Sequence, residues 1–370
     1  MNGPRSGALS RTLLGWDVGA GAVRAARQEP TGRWRTAARV WTPSGDAAND
    51  ALVLAVMLRE LARDAGAGPA AAHAVTTTLD RAPVWPARRA ALDTVLDAFA
   101  AALPDAPVEL LTTEGRFVDP AAARRPDAAS AIFGAGGGAA GALAAVAYAD
   151  ALADEGGRGV LVTVDGGAAS MLPIVDGAVR VQGRTDAERL VRGELLWWGA
   201  LHTPVAVAAP LLPLDGALVP AANGCGAATM EDVHVWRGEL GTGDAAERRR
   251  AGTRLARLVG ADVAELGELG LGRIAAAAAE AQCASLGAAI RRACEGAGAA
   301  RPRVALVAGA GELVAAEAAR AAGLVPLRLR VRLGTGASAS LAACGTAWLR
   351  AAETMPRELH ATRELPLQRV

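Results

Sequence analysis

Glycine turns that follow apolar segments place an acid, small residues and a cation where phosphate chemistry needs them. In GWDVGAGAVRAAR, Asp17 precedes Gly19 and Gly21, and Arg24 follows on the returning strand. A carboxylate at a strand end can hold hydrated Mg²⁺. The glycines allow a tight turn whose N–H groups face phosphate oxygens, and the planar guanidinium can neutralise phosphate charge. An ordinary hairpin with an aspartate in its turn fits the same pattern.

A second turn, in GVLVTVDGGAASMLPIVDG, repeats the order of strand, glycine turn and strand. Asp165 is the second candidate metal ligand, and Gly166 and Gly167 are candidate phosphate-binding residues. Phosphate loops of this kind carry hydroxyls and a second acid after the glycines, whereas AAS follows here. Because backbone N–H groups can cradle a phosphate without side chains, we expect phosphate binding to persist while side-chain ligation is weakened.

A third turn joins a buried strand to a helix in VALVAGAGELVAAEAAR, at Gly309 and Gly311. Such a turn lets a nucleotide or phosphate approach the backbone and uses the helix N-terminus. These two glycines are further candidates for phosphate binding, and a turn required only for packing fits the short pattern equally well.

Strand and helix patterns alternate along the chain, and strands precede helices twice, after Asp17 and after Asp165. This order predicts a duplicated α/β plan with mixed sheets and a cleft between the halves. We predict a first domain over residues 1–150 and a second over 151–370, with a helical insertion at about 185–300. A single doubly wound sheet is the rival, and it explains the third glycine turn but not the two early hairpins.

Charge and composition exclude several classes of partner. The formal net charge is +1, from 39 basic and 38 acidic residues, so no global field favours nucleic acid or an anionic membrane. The four cysteines form no C-x-x-C pair and the four histidines are scattered, which indicates free thiols in a reducing compartment and no zinc site. The sequence shows no secretion signal and no long, strongly apolar run, so we predict a cytoplasmic protein without a membrane span. The oligomeric state is left open.

The most distinctive segment is GRTDAERLVRGELLWWGALHTPV, which packs acids, arginines and two adjacent tryptophans into a short span. An exposed, charged helix with a threonine cap is the plain interpretation. That interpretation leaves the paired tryptophans and the HTPV that follows unexplained.

Several segments occur in an order and spacing that resemble one protein family. They are GWDVGAGAVRAA, HAVTTT, EGRFVDP, ASAIFGA, TDAERLVRGELLWWGALHTPVAVAAP, TMEDVHVWRGEL and RLARLVG. The chain resembles the hydantoinase/oxoprolinase-like proteins linked to tetrahydromethanopterin C1 transfer, and among them the furan-methanamine synthase of methanofuran biosynthesis. The resemblance implies an actin-like ATPase fold of the acetate kinase, Hsp70, actin and ribonuclease H-like type, with the ligand in the cleft between two domains.

The chain departs from the family pattern at several positions, so it is similar to a divergent member. A glycine, a polar residue and a lysine usually stand where this sequence has Ala20, Ala22 and Arg24. The second motif lacks its usual hydroxyl and carboxylate ligands. His202 replaces an arginine, and the family's glutamate and aromatic residue are replaced by Gly224 and Cys225.

The resemblance implies a transferase that couples an aminomethylfuran diphosphate to a phenolic acceptor of the glutamyl-tyramine type. Asp17 would hold Mg²⁺, and Arg24 with the glycine turns would bind the diphosphate. Asp186, Arg189 and Glu194 would orient the acceptor or its base. ATP is possible but not required by this hypothesis. The alternatives are an ATP-dependent kinase or hydrolase of the same fold, and a catalytically eroded binding or scaffold protein of the same pathway.

Overall fold

The computed structural model describes residues 12–68, 70–224, 226–297 and 302–354. These residues divide into two compact units. The first unit holds the described residues up to Leu143 and those from Ser340 onward, and the second runs from Ala144 to Ala339. The sequence predicted a division between residues 150 and 151, a few residues after the observed boundary between Leu143 and Ala144. That prediction assigned the last helix to the second domain, whereas the helix belongs to the first unit.

The first unit is built on a mixed sheet of six strands in the order β3-β2-β1-β4-β5-β6. The strands are β1 (Leu13–Gly19), β2 (Ala22–Gln28), β3 (Trp34–Val40), β4 (Ala72–Thr78), β5 (Val108–Leu111) and β6 (Phe117–Val118). The helices are α1 (Ala47–Asp64), α2 (Arg88–Ala102), α3 (Pro120–Ala123), α4 (Ala128–Ile132), the first part of α5 (Gly136–Ala147), and α15 (Leu341–Thr354). β1 pairs antiparallel with β2 and parallel with β4, so the predicted hairpin opens this sheet.

The two faces of β1 are covered by different helices, because side chains alternate along a strand. Leu14, Trp16 and Val18 are fully buried in the core that includes residues of α1 and α2. On the opposite face, a β-carbon built on Gly15 would overlap the carbonyl oxygen of Ala343 in α15. Gly15 therefore lets α15 lie directly on the sheet, which places the last helix in the first unit.

The second unit has its own mixed sheet, in the order β10-β8-β7-β13-β14, with β9 paired to β8. Its strands are β7 (Gly159–Val164), β8 (Ala169–Val175), β9 (Ala178–Val179), β10 (Leu195–Leu196), β13 (Val304–Ala308) and β14 (Val325–Arg328). β7 pairs antiparallel with β8 and parallel with β13. Each unit therefore opens with a hairpin followed by a parallel strand, which confirms the duplicated plan and excludes the single-sheet rival.

Helices and one further hairpin complete the second unit. The helices are the last part of α5, α6 (Ala149–Asp154), α7 (Asp186–Arg192), α8 (Val205–Ala208), α9 (Met230–Trp236), α10 (Ala245–Arg257), α11 (Val263–Gly296), α12 (Glu312–Ala321), α13 (Leu329–Leu333) and α14 (Thr335–Ala339). The hairpin joins β11 (Leu211–Leu214) to β12 (Ala217–Pro220). Side chains from α8 to α11 and from β11 form a hydrophobic cluster of their own, apart from the one under the sheet.

One described segment, residues 128–147, is long and apolar enough by composition to cross a membrane. Its mean hydropathy is 1.5, and 67% of the apolar window is buried within the protein. The segment consists of α4 and α5, which are separated at Gly134 by a backbone φ of 93°. Burial therefore accounts for its apolar character.

Candidate anion-binding turns

The first turn brings Asp17 and Arg24 together on neighbouring strands. The two residues are direct partners in the β1–β2 register, and Arg24 Nη1 lies 3.3 Å from Asp17 Oδ2. Their side chains are 15% exposed for Asp17 and 18% for Arg24. A pair at this depth keeps access to solvent and is only partly screened by it. An anion can therefore reach the guanidinium, and a cation can reach the carboxylate.

The neighbouring strand β4 contributes hydroxyls that the sequence interpretation did not assign to the site. In the parallel register Thr76 lies opposite Asp17, and Thr78 lies opposite Gly19. Thr76 is fully buried, and its Oγ1 has no hydrogen-bond partner among the described residues. A buried hydroxyl without a partner costs about 1–3 kcal/mol. The threonines are visible in the HAVTTT segment of the sequence, but only the strand register shows that Thr76 and Thr78 lie on the same face as Asp17.

The two glycines of the first turn differ in their surroundings. Gly19 is buried, and a β-carbon there would lie 3.1 Å from the carbonyl oxygen of Ala22 and 3.4 Å from Thr78 Oγ1. Gly21 is exposed, and its carbonyl accepts a hydrogen bond from the Trp41 N–H. Gly19 therefore allows the close approach of two strands beside Asp17, and Gly21 forms the tip of the turn.

Mg²⁺ is compatible with the donor set of the first turn. Asp17 offers one carboxylate, and the hydroxyl of Thr76 adds a neutral oxygen on the same face. Mg²⁺ is usually held by one or two carboxylates and keeps several water molecules or phosphate oxygens. Within the described residues, no group of three or more His, Cys, Asp or Glu side chains could hold a metal.

The second turn, Asp165 to Ala168, is held in place by the segment that follows β10. The turn is closed by a hydrogen bond from the Asp165 N–H to the Ala168 carbonyl. The carbonyl of Asp165 accepts from the Ala200 N–H, and the carbonyl of Gly166 accepts from the N–H groups of Leu201 and His202. Gly167 is exposed at the tip, and Asp165 is half-buried. The backbone of this turn is thus fixed before any ligand binds.

His202 lies against the second turn. It is exposed, and its Nε2 lies 3.1 Å from the position that a β-carbon of Gly166 would occupy. The sequence showed His202 only as a departure from the family pattern, not as a site residue. An imidazole in this position adds a titratable donor to a turn whose own side chains are small.

The third turn lies beside the second, because β13 and β7 are neighbouring parallel strands. The Gly311 N–H donates to the carbonyl of Val164, and the Gly309 N–H donates to the carbonyl of Ser338. A β-carbon on Gly309 would overlap the Val164 carbonyl, and one on Gly311 would lie 2.6 Å from the Ala200 β-carbon. Packing therefore accounts for both glycines, and both N–H groups already have acceptors. Their role in binding phosphate stays a prediction.

The charged segment around α7 is held by buried polar contacts. Thr185 caps the helix by accepting from the Glu188 N–H. Arg189 is buried, and it contacts Ser170 Oγ at 3.0 Å and Asp186 Oδ1 at 3.5 Å. Arg189 thus connects α7 to the first residues of β8 after the second turn. Asp186 and Arg189 are therefore neighbours in the structure, and their role in orienting an acceptor stays a prediction.

Glu194 has a different position. It is 1% exposed, and its two carboxylate oxygens accept from the N–H groups of Gln182 and Gly183. These two bonds fix the preceding loop. The structure shows Glu194 as a support for the backbone, and its role in orienting an acceptor stays a prediction.

Comparison with solved structures defines the class of fold. A nucleotide-free acetone carboxylase, an enzyme of ATP-dependent acetone carboxylation, matches with a TM-score of 0.51 at 12% identity, covering 91% of this chain and 70% of that chain. The ethanolamine utilization protein EutJ from Carboxydothermus hydrogenoformans matches with a TM-score of 0.44 at 11% identity, covering 91% and 89%. A PilM–PilN type IV pilus biogenesis complex gives 0.46 at 15%, covering 93% and 99%. The fold is that of the actin-like ATPases, as predicted.

The family follows from the sequence match. The chain belongs to the hydantoinase/oxoprolinase family, whose model matches residues 73–353. The matched region includes Thr76, the second and third turns and α7, and it begins after Asp17 and Arg24. A search of curated proteins found no match.

Proposed function

We propose that this chain is a magnesium-dependent transferase that acts on a diphosphate-bearing substrate. One observation carries the proposal, namely the Asp17–Arg24 pair at 3.3 Å beside the buried hydroxyl of Thr76 that has no partner among the described residues. A carboxylate for Mg²⁺, a guanidinium for phosphate oxygens and a free hydroxyl are the groups that diphosphate recognition requires.

The resemblance to the furan-methanamine synthase supports a specific substrate class within this proposal. The donor is an aminomethylfuran diphosphate, and the acceptor is a phenol of the glutamyl-tyramine type. In the reaction the bond between the furan methylene carbon and the diphosphate oxygen breaks, and its electron pair leaves with the diphosphate. The phenol oxygen forms the new bond to that carbon, and the phenol proton passes to a base.

The residues of the first turn act on the leaving group. Arg24 offsets the charge that grows on the departing oxygen, and Thr76 donates a hydrogen bond to it. Bound Mg²⁺ would supply further positive charge at the same oxygens. Asp17 would hold such a hydrated cation by its carboxylate.

Binding of magnesium diphosphate tests the role of Asp17 directly. We expect Asp17→Asn to weaken the affinity measured by isothermal titration at least about tenfold, because one charged hydrogen-bonding group is lost. Asp176→Asn is the matched control, since Asp176 lies in another glycine turn and its side chain is 73% exposed. Equal affinities of wild type and Asp17→Asn would remove Asp17 from the site.

Turnover tests the reaction itself. The wild-type protein, incubated with Mg²⁺, an aminomethylfuran diphosphate and a phenolic amine, should release diphosphate and form the furan ether. Binding of magnesium diphosphate without any turnover would instead support a binding or scaffold protein. That alternative draws on the small AAS residues that follow the second turn.

ATP use is the second candidate function. The fold shared with acetone carboxylase favours it, because that enzyme takes part in ATP-dependent acetone carboxylation. An ATP-dependent kinase or hydrolase would require nucleotide for turnover, whereas the transferase would not.

A further inference from the structure

A row of polar side chains in the second unit begins at the partly exposed Glu239 and ends directly behind the second turn. Glu239 contacts His234, His234 contacts Gln282, and Gln282 contacts Gly199. His234 and Gln282 are 1% and 0% exposed, although they lie 48 residues apart in the chain. Neither residue belongs to the chemistry proposed above.

The last member of the row, Gly199, packs on the backbone of the turn. A β-carbon built on Gly199 would overlap the carbonyl group of Gly166. The residues that follow Gly199 donate their N–H groups to the carbonyls of Asp165 and Gly166. Thr203 further fixes Gly199, since its buried hydroxyl bonds to both the N–H and the carbonyl of that glycine. The position of Gly199 therefore sets the position of the turn.

The orientation of the Gln282 amide is determined by its partners. Its Nε2 donates to the Gly199 carbonyl at 2.9 Å, and its Oε1 lies 3.0 Å from His234 Nε2. The reversed amide would place two oxygens against each other at Gly199, neither with a hydrogen to share. Gln282 therefore offers an acceptor to His234, and His234 Nε2 must carry a proton.

The second nitrogen of His234 also faces an acceptor. Nδ1 lies 2.8 Å from Glu239 Oε2, and Arg237 Nε donates to Glu239 Oε1 at 2.7 Å. Burial on its own would raise the pKa of Glu239, but the hydrogen bonds from His234 and Arg237 hold that pKa below its ordinary value. An ionised carboxylate only accepts hydrogen bonds. Both ring nitrogens of His234 thus face hydrogen-bond acceptors, Glu239 at Nδ1 and Gln282 at Nε2.

Further charged groups lie around the row. Arg237 contacts it through Glu239, and Glu280 of α11 and Glu317 of α12 lie near Cys283, which follows Gln282 in α11. Burial raises the pKa of the Cys283 thiol to about 11, so that neighbour is neutral at ordinary pH.

We propose that Gln282 is a positioning residue for the second turn, and that the imidazolium of His234, held by Glu239, fixes the orientation of Gln282. The link to anion binding rests on the proposed function and on the prediction from the sequence that the backbone N–H groups of the second turn also bind phosphate. The protonation state of His234 does not depend on it. Glu239 lies outside the turn, so a change there reaches the cradle only through the row.

Nitrogen-15 NMR of the histidine side chains tests the charge of His234 without any ligand. In the wild type, one imidazolium with both ring protons protected from solvent exchange should persist at pH 8. A His202→Gln variant should retain that signal, because His202 is exposed. Glu239→Gln should convert the signal to a neutral ring at pH 8, since it removes the carboxylate that favours the second proton.

The matched control for that change is Glu268→Gln. Glu268 is a surface carboxylate paired with Arg248, and its side chain is 72% exposed. The control should leave the imidazolium signal as it is in the wild type. A neutral His234 in the wild type at pH 7, or an unchanged signal in Glu239→Gln, would overturn the proposal.

Titration with magnesium diphosphate tests the link to the turn. Gln282→Glu keeps the volume and the acceptor for His234 but places a carboxylate oxygen against the Gly199 carbonyl. We expect its affinity to fall about tenfold, the size of one lost buried hydrogen bond. Gln28→Glu is the matched control, because the exposed Gln28 also donates to a glycine carbonyl, that of Gly32.

The outcomes separate the two proposals. A wild type that does not bind magnesium diphosphate contradicts the proposed function, while the NMR result still decides the state of His234. A folded Gln282→Glu that binds as tightly as the wild type contradicts the positioning role. If Gln282→Glu does not fold, Glu239→Gln decides the same point. The affinity of Glu239→Gln for magnesium diphosphate, relative to that of the wild type, should be lower at pH 8 than at pH 6. An equal relative affinity at the two pH values contradicts the positioning role.

Discussion

At the scale of single residues, the two units differ more in their buried polar side chains than in their glycine turns. In the first unit, His73 is 3% exposed, and its Nδ1 accepts from Trp16 Nε1 at 3.0 Å. Burial lowers the pKa of His73 from 6.5 to about 4, so the folded protein holds a neutral ring there. In the second unit, both ring nitrogens of the buried His234 face acceptors, Glu239 and Gln282.

The neutral state of His73 predicts how stability depends on pH. Because its pKa is lower in the folded protein, the unfolded chain binds more protons between pH 6.5 and about 4. The contribution of His73 is complete above pH 6.5 and is lost as the pH falls toward 4, up to about 3 kcal/mol. Urea unfolding at pH 7 and pH 5 should show this loss in the wild type and a smaller one in His73→Gln. His202→Gln, at an exposed histidine, should behave as the wild type. An equal pH dependence in His73→Gln would contradict the assignment.

At the scale of elements, close contacts between backbones hold the strand ends that carry the turns. α15 lies on β1 two residues before Asp17, at a distance that only Gly15 permits. In the second unit, Gly199, Gly309 and Gly311 allow similarly close contacts around the end of β7. These helices and loops fix the strand ends, and the strand ends fix the candidate ligands.

Gly15→Ala tests this dependence on close approach. The added methyl would overlap the Ala343 carbonyl and meet the Ala347 β-carbon, so α15 must shift away from the sheet. We expect a loss of about 1–3 kcal/mol in the free energy of unfolding, the usual cost of overpacking a core. Gly138→Ala is the matched control in α5 of the same unit, because nothing lies within 4 Å of the position of its new β-carbon. Chemical denaturation measures both, and a Gly15→Ala protein as stable as Gly138→Ala would show that α15 does not depend on this contact.

At the scale of the whole molecule, the sequence predicted what depends on local pattern. The duplicated hairpins, the actin-like fold and the family follow from short segments such as GWDVGAG and VTVDGG, whose strands and turns are neighbours in the chain. The return of α15 to the first unit and the contact between His234 and Gln282 join distant segments, and neither leaves a local pattern. The hydroxyl of Thr76 was visible in the sequence, but its place beside Asp17 required the β1–β4 register.

Thermal unfolding of the intact chain discriminates between the two enzymatic proposals. A ligand that binds only the folded state stabilises it by a free energy that grows with the logarithm of the ratio of ligand concentration to dissociation constant, and the melting temperature rises accordingly. If the protein is the transferase, magnesium diphosphate should raise the melting temperature, and Asp17→Asn should reduce that shift. MgATP should raise the melting temperature no further than magnesium diphosphate does at the same concentration. Titration with a non-hydrolysable ATP analogue is the comparison, and Asp176→Asn the control. The nucleotide could instead give a larger shift than magnesium diphosphate at equal concentration, and that shift could be lost in Asp17→Asn. This result would assign the first turn to ATP, because the adenosine would then contribute binding energy that a diphosphate site does not supply.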